Sequence, residues 1–202
     1  MQNEIFFKTE KNFERISLVL APSLFALSSF YWENGEYGVI AGTLIVLSTF
    51  FWIPAFIFLF RLLQNKMPRY AVWGLWIAVY GCVSGICFAF LGYLTTIFKI
   101  SHQEYLQKLA DHPVTSQLLL FATGPLFPLS IVLLGINLIR SKTVEIWTGV
   151  LLIAGAILFP AGRITRTELY AHLADVLLII PCIYLAFTSV KKYSRSKNGI
   201  KF

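Results

Sequence analysis

Long apolar runs separated by short polar stretches make up most of the chain. The runs lack the strict alternation of half-buried strands, and each is close to the roughly 20 residues that a helix needs to cross a bilayer. This pattern predicts an all-α, polytopic integral membrane protein that forms a single domain over residues 1–202. Its six transmembrane helices are expected at about residues 16–32, 38–63, 70–98, 115–139, 143–162 and 168–190.

Prolines interrupt five of these six spans. Each proline removes a backbone donor and clashes with the preceding turn, so the bundle is predicted to consist of kinked helices. The prolines are Pro22, Pro54, Pro125, Pro128, Pro160 and Pro181.

The loop after the third span predicts one short amphipathic helix. Ser101 and Glu104 have the spacing of a capping box, and Tyr105, Leu106 and Leu109 then share one helical face. We expect this helix to lie on the outer bilayer surface or over the mouth of the bundle as a lid. As a lid it would contribute four polar residues: His102, Glu104, Asp111 and His112.

Composition agrees with the pattern, because 57% of the residues are hydrophobic and only 13% are charged, against about 25% charged in soluble domains. Of the 17 Lys and Arg residues, only Lys99, Lys108, Arg163 and Arg166 fall on one side of the predicted spans. The positive-inside rule therefore predicts cytoplasmic N- and C-termini, with residues 191–202 as a basic cytoplasmic tail. The net charge of +7 is then explained by topology and by anionic lipids, without nucleic acid. The composition and the six predicted spans are typical of small proteins of bacterial inner membranes, so this location is expected.

The third span carries small residues on one face. Such a stripe lets neighbouring helices approach closely, so packing within the bundle is the favoured interpretation, and a homodimer through Gly81 and Gly85 is the alternative. The helix-packing residues are Gly74, Ala78, Gly81, Gly85, Ala89 and Gly92.

Ionisable residues concentrate between the fifth and sixth spans, as Arg163, Arg166, Glu168, His172 and Asp175. The last three follow one another at i, i+4 and i+7, within about 60° of one helical face. Charges that face lipid cost ~2.5–3.5 kcal/mol each at the helix centre, so this cluster must face the bundle, pair internally or reach water.

Four interpretations of the cluster stay open. It is an ion-pair cluster that holds the outer end of the bundle together, with either arginine paired to either acid. It is a pocket for a headgroup or small solute, with the arginines binding an anion. It is an acid–base or metal-assisted active site, or a proton path through Asp175. Neither a metal motif such as HExxH nor a cofactor motif is present, so no metal and no cofactor are expected.

The favoured function is that of a membrane protein whose outward-facing polar pocket binds a lipid headgroup or small solute, for transport, sensing or an accessory role. The membrane lipids are the expected partners, and no nucleic acid is expected. One alternative is an integral-membrane enzyme in which His172 and Glu168 or Asp175 act as general acid and base. A second is a structural or assembly subunit that packs through the third-helix stripe.

Overall fold

A computed structural model of the chain describes residues 2–33 and 36–198, and the side chains of residues 6–33 and 36–188. The structure is 83% helical, and a short hairpin of β1 (Trp32–Glu33) and β2 (Glu36–Tyr37) follows the first helix. A π-helical segment, Gln117–Phe121, lies between the fifth and sixth α-helices. The α-helices are α1 (Gln2–Ser29), α2 (Val39–Arg61), α3 (Pro68–Ile97), α4 (His102–Ala110), α5 (Pro113–Ser116), α6 (Leu126–Arg140), α7 (Ile146–Thr165) and α8 (Glu168–Asn198).

Within the described residues, five helical stretches are long and apolar enough to span a membrane. They correspond to the second to sixth predicted spans. The first predicted span differs, because α1 ends at Ser29 and its apolar part, residues 16–29, is only about 21 Å long at 1.5 Å per residue. The five stretches are Val39–Arg61, Pro68–Ile97, Pro113–Arg140, Ile146–Thr165 and Glu168–Thr188.

The polar start of the chain forms the first part of α1, so this helix begins well before its apolar residues. Arg61, at the end of α2, pairs with Glu10 at 2.6 Å and with the buried Glu14 at 2.8 Å. These two acids lie one helical turn apart, so a helical backbone presents both to one guanidinium. Long-range pairing therefore extends α1 well beyond its apolar part.

The six long helices form a closed ring in which each packs against its neighbours in the chain, and α1 packs against α8. Arg15 strengthens that last contact, because its Nε donates a hydrogen bond of 2.9 Å to the carbonyl of Ala186. The connections alternate between two ends of the ring. The end with the hairpin, residues 98–125 and the turn at 166–167 is here called the polar end, and the end with residues 62–67 and 141–145 is called the basic end.

Aromatic rings fill the centre of the bundle around Phe127 of α6. Its ring lies 5.3–5.8 Å, centroid to centroid, from four others, contributed by α1, α2 and α7. Tilted and edge-to-face pairs at these distances are favourable beyond the area that they bury. The four partners of Phe127 are Phe25, Trp52, Phe56 and Phe159.

The small-residue stripe of α3 faces the inside of the bundle. A Cβ added to Gly81 would lie 2.5 Å from the backbone nitrogen of Phe127, so α3 and α6 cross in direct contact at this glycine. Ala78 and Ala89 are fully buried, and Gly74 lies against Phe60. Gly85 is looser, and a Cβ there would meet only Thr49, at 3.4 Å. A homodimer through this helix stays a prediction, although α6 already covers Gly81.

The fourth predicted span, residues 115–139, is interrupted in the structure. Ala122 donates to the carbonyl of Gln117, which widens the backbone into a π-helical turn, and a turn at residues 122–125 separates it from α6. Pro125 and Pro128 explain the break, because neither can donate the next helical hydrogen bonds. Such π-helical turns occur often at functional sites.

The remaining interior prolines are accommodated without ending their helices. Pro22, Pro54, Pro160 and Pro181 lie inside α1, α2, α7 and α8 respectively. The helix kinks expected at these four prolines remain a prediction. The basic side chains of the predicted tail, residues 191–202, lie outside the described side chains.

Candidate functional site

A buried ion pair connects α7 and α8 at the polar end. Nη2 of Arg163 lies 3.8 Å from Oδ1 of Asp175, whose side chain is only 1% exposed. Ser29, at the end of α1, donates a hydrogen bond of 2.6 Å to the other oxygen, Oδ2. The sequence left open which arginine, Arg163 or Arg166, pairs with which acid, and in the structure Arg163 pairs with Asp175.

Aromatic rings surround the guanidinium of Arg163. Its Cζ lies 3.5 Å from the ring centroid of Phe159, 5.1 Å from that of Phe25 and 5.9 Å from that of Trp32. Phe159 is one helical turn before Arg163, and its carbonyl accepts a hydrogen bond of 3.3 Å from Nη1. Cation–π contacts favour a cation in this position, in addition to the nearby carboxylate.

Three buried polar atoms at this point have no hydrogen-bond partner among the described residues: Nε1 of Trp32, Nη2 of Arg163 and Oδ1 of Asp175. The 3.8 Å separation of the last two is too long for a direct hydrogen bond. Leaving such groups unsatisfied costs ~1–3 kcal/mol each, and more for charged groups. Such groups are few in native structures, and each calls for an explanation, such as strain, a catalytic role or a bound water or ion.

A second polar cluster lies closer to the surface around Arg166. This residue caps α7 with a left-handed backbone, φ 56°, which turns its side chain towards the hairpin. It pairs with Glu36 at 2.5 Å and contacts Nδ1 of His102 at 2.6 Å. Tyr105 of α4 completes the cluster through a hydrogen bond of 2.7 Å to the same imidazole. A pairing of Arg166 with Glu168 or Asp175 is therefore wrong.

The structure does not bring Glu168 and His172 into these clusters. Glu168 is exposed at the first residue of α8. His172 stacks on Phe30, with the ring centroids 4.4 Å apart. One oxygen of Asp175 is bound to Ser29 and the other has no hydrogen-bond partner, so no His172–Asp175 hydrogen bond is formed. Glu168, His172 and Asp175 therefore lie in three different surroundings: Glu168 is exposed, His172 contacts Phe30 just after α1, and Asp175 is buried.

Arg163 of the first cluster and the residues of the second line a cavity of about 660 Å³ at the polar end of the helical ring. Its wall is mostly apolar, from α1, α2, α3, α6, α7 and the π-helical turn, and Phe25, Phe127 and Phe159 are part of it. The lining also includes Ile164, which is 80% exposed, so the cavity reaches the surface. The charged or titratable residues that line it are Glu36, His102, Arg163 and Arg166, together with the phenols of Tyr37 and Tyr105.

Helix α4 covers part of this cavity. It begins after Ser101, whose hydroxyl accepts a hydrogen bond of 3.3 Å from the backbone of Glu104, as the capping-box pattern predicts. Of the four polar residues proposed for a lid, His102 lines the cavity, whereas Glu104 pairs with Lys108 at 2.8 Å on the outer surface. Asp111 and His112 are exposed and do not line the cavity, so they take no part in the cover. Instead α4 contributes Tyr105 and Leu106.

The two phenols at the cavity are held in their protonated form. Burial raises the pKa of Tyr37, although Arg163 acts in the opposite direction. Burial and the neighbouring Glu36 raise the pKa of Tyr105. Both side chains therefore remain neutral and retain a hydroxyl donor at physiological pH.

Sequence reasoning did not identify Trp32 and Tyr37 as site residues. Both belong to the hairpin after α1, where they pair across its two strands. Aromatic residues at a membrane boundary are common, so their position alone gives no signal of a site. Among residues 2–33 and 36–198, no group of three His, Cys, Asp or Glu side chains is placed to hold a metal ion.

Comparison of the chain with family models, curated proteins and solved structures gives no match.

Proposed function

We propose that the chain is a six-span membrane protein, with both termini in the cytoplasm, that binds a lipid-like molecule in the cavity at the polar end of its bundle. The polar end then faces the outer side of the membrane. The observation that carries the proposal is the cavity itself, whose wall is mostly apolar and whose charged groups come from the hairpin, α4 and the end of α7.

The six-span topology is supported by the position of α1 in the ring. α1 packs along both α2 and α8, and these two are among the five stretches that are apolar enough to span a membrane. A helix enclosed by two spanning neighbours satisfies its polar groups against protein, so its short apolar part is sufficient. The excess of Lys and Arg at the basic end supports its cytoplasmic position.

The chemistry of the cavity favours an amphiphile over a small polar solute. A volume of about 660 Å³ is in the usual range of ligand sites, ~300–1,000 Å³. A fully polar solute would lose its hydration against phenylalanine and leucine walls without compensation. A molecule with an apolar body and one polar end would bury its body there and reach the arginines with its head. The expectation of a mainly polar pocket is thus revised in favour of an apolar cavity with polar groups at its edge.

Partial filling of the cavity tests this function. Gly85 lines the cavity, and a Cβ there would meet only Thr49, at an ordinary contact distance of 3.4 Å, so the ring of Gly85→Phe is expected to occupy part of the cavity. The control is Val83→Phe, which adds the same ring on the same helix at an exposed position. The purified proteins are compared by mass spectrometry of the lipid that remains bound.

The wild type and Val83→Phe should retain lipid in defined stoichiometry, and Gly85→Phe should lose it while keeping a similar melting temperature. Equal lipid content in all three proteins would overturn the proposed function.

A further inference from the structure

The cavity extends from the polar end to about the depth of one bilayer leaflet. Its deepest lining residues on α2 and α3 are Thr49 and Gly85, which face each other, because a Cβ added to Gly85 would lie 3.4 Å from Thr49. Thr49 is ten residues after Val39, where α2 begins, and Gly85 is twelve residues before Ile97, where α3 ends. At 1.5 Å per residue, both lie about 15–18 Å from the polar ends of their helices. Half of a hydrocarbon core of about 30 Å has the same thickness.

The rim of the cavity has an apolar part and a polar part. Among the described residues that line the cavity, four are exposed and all four are apolar. These are Leu106, Phe121, Pro125 and Ile164. The polar part consists of Glu36, His102 and Arg166, whose side chains are 36–39% exposed. The rim therefore offers an amphiphile a separate place for its chain and for its head.

The apolar part of the rim belongs to elements that are able to span a membrane. Phe121 and Pro125 lie within Pro113–Arg140, and Ile164 lies within Ile146–Thr165. Ile157 is seven residues before Ile164, on the same face of α7, and is 62% exposed. The π-helical turn packs mainly against α3 and α5, which leaves the opening between this turn and α7. In a membrane this opening is continuous with the surface that faces lipid.

From the depth of the cavity and the two parts of its rim, we infer that a phospholipid of the outer leaflet inserts one acyl chain sideways between the π-helical turn and α7. Its headgroup remains at the polar part of the rim. A chain that follows this route passes from the bilayer to the apolar wall without exposing its surface to water, which would be unfavourable. This inference rests on the proposed function and specifies both its ligand and the route of entry.

The test uses the full chain in preformed proteoliposomes of phosphatidylcholine. A trace of phosphatidylcholine with a photoreactive diazirine at the end of one acyl chain is added, the sample is irradiated at successive times, and mass spectrometry locates the adducts. Adducts should form at Thr49 in the wild type and be lost in Gly85→Phe. Phosphatidylcholine with the diazirine on its headgroup should label β2 and α4. Headgroup adducts at Thr49 without chain adducts there would overturn the inference.

Two tryptophan variants test the route of entry. Ile164→Trp narrows the apolar part of the rim and should delay the adducts at Thr49 several-fold, with the final amount unchanged. The control is Ile157→Trp, which adds the same ring on the same face of α7 at a residue outside the described cavity lining. This control should be labelled at the wild-type rate, and equal melting temperatures exclude a general loss of structure. Equal rates for the two variants would show that the chain does not enter beside α7.

A water-soluble probe separates this inference from the proposed function. If octanoate with the same diazirine labels Thr49 and the phosphatidylcholine does not, the cavity fills from water. Entry from the bilayer is then wrong, while binding of a lipid-like molecule stands. If neither probe labels Thr49 and Gly85→Phe retains as much lipid as the wild type, both proposals are overturned.

Discussion

Arg163 and Asp175 form a buried ion pair at 3.8 Å, close enough for strong Coulomb attraction and too far apart for a direct hydrogen bond. The pair joins α7 to α8, and Ser29 of α1 holds the second carboxylate oxygen. The carboxylate of Asp175 on α8 therefore contacts side chains of both α1 and α7. Loss of either charge would leave the other buried without a counter-charge.

Removal of one member of this pair should lower the free energy of unfolding. Asp175→Ala leaves the guanidinium of Arg163 buried without a counter-charge, and the expected loss of unfolding free energy is ~3–5 kcal/mol. Adding Arg163→Ala should restore part of it, because the unpaired charge is then gone. Unfolding in mixed micelles measures both values, and a double-mutant cycle extracts the coupling.

The matched control combines Asp175→Ala with Arg166→Ala. Arg166 pairs with Glu36 instead, so these two effects should be additive. Additivity for Arg163 as well would contradict the ion pair.

Two glycines of α3 should respond differently to the same added methyl group. Gly81→Ala forces α3 away from the backbone of Phe127 and is expected to cost ~1–3 kcal/mol. Gly85→Ala meets only Thr49 at an ordinary contact distance, and helix propensity makes it neutral or stabilising by up to ~1 kcal/mol. Melting temperatures in detergent measure the difference. Equal responses would mean that the crossing of α3 and α6 is not a tight contact.

Both ends of the chain are expected in the cytoplasm. A reporter that is active only outside the cytoplasm should be inactive when fused after Phe202. Inserted between Asp111 and His112, which are exposed at the polar end, it should be active. The reverse result at both sites would invert the topology and put the cavity on the cytoplasmic side. Activity at neither site would contradict the proposed spans.

The stability should depend on pH through Glu145, which precedes α7. Hydrogen bonds from Tyr184 and Trp147 lower the pKa of this carboxyl from its ordinary value of 4.5. A lowered pKa means that the folded state favours the ionised form, so the contribution is present above pH 4.5 and is lost as the pH falls through the lower value.

Melting temperatures between pH 6 and pH 3 check this dependence. The wild type should exceed Glu145→Gln at pH 6, and the gap should narrow as the pH falls. A gap that is constant or widens would show that the carboxylate is not stabilised in this way.

Local patterns allowed the more regular elements to be predicted from the sequence. The five apolar helices follow from the length of their runs, and the start of α4 follows from Ser101 and Glu104, because these signals act within a few residues. The length of α1 could not be predicted, since it depends on Arg61 at the far end of another helix. The break in the fourth span had a visible signal in Pro125 and Pro128, whose effect is underestimated when only hydrophobicity is counted.

Only part of the candidate site could be predicted from the sequence, because only some of its residues have a local signal. Arg163 and Asp175 were recognised because charges within an apolar run require partners. The direction of Arg166 depends on its left-handed backbone, and no glycine or asparagine marks that conformation in the sequence. The contact between the Trp32 ring and Arg163 depends on the distance between the hairpin and α7, which only the folded chain determines.

The contact between α1 and α8 has a consequence for how the protein is made. Ser29 and Asp175, which join these helices, are 146 residues apart. Because synthesis begins at the N-terminus, α1 of the proposed six-span topology enters the membrane before its eventual neighbour α8 has been translated. Until then its short apolar stretch has only α2 as a neighbour in the ring, with Glu14 paired to Arg61. The contact can form only after α8 has been translated, because Asp175 of α8 supplies the carboxylate that binds Ser29 and pairs with Arg163.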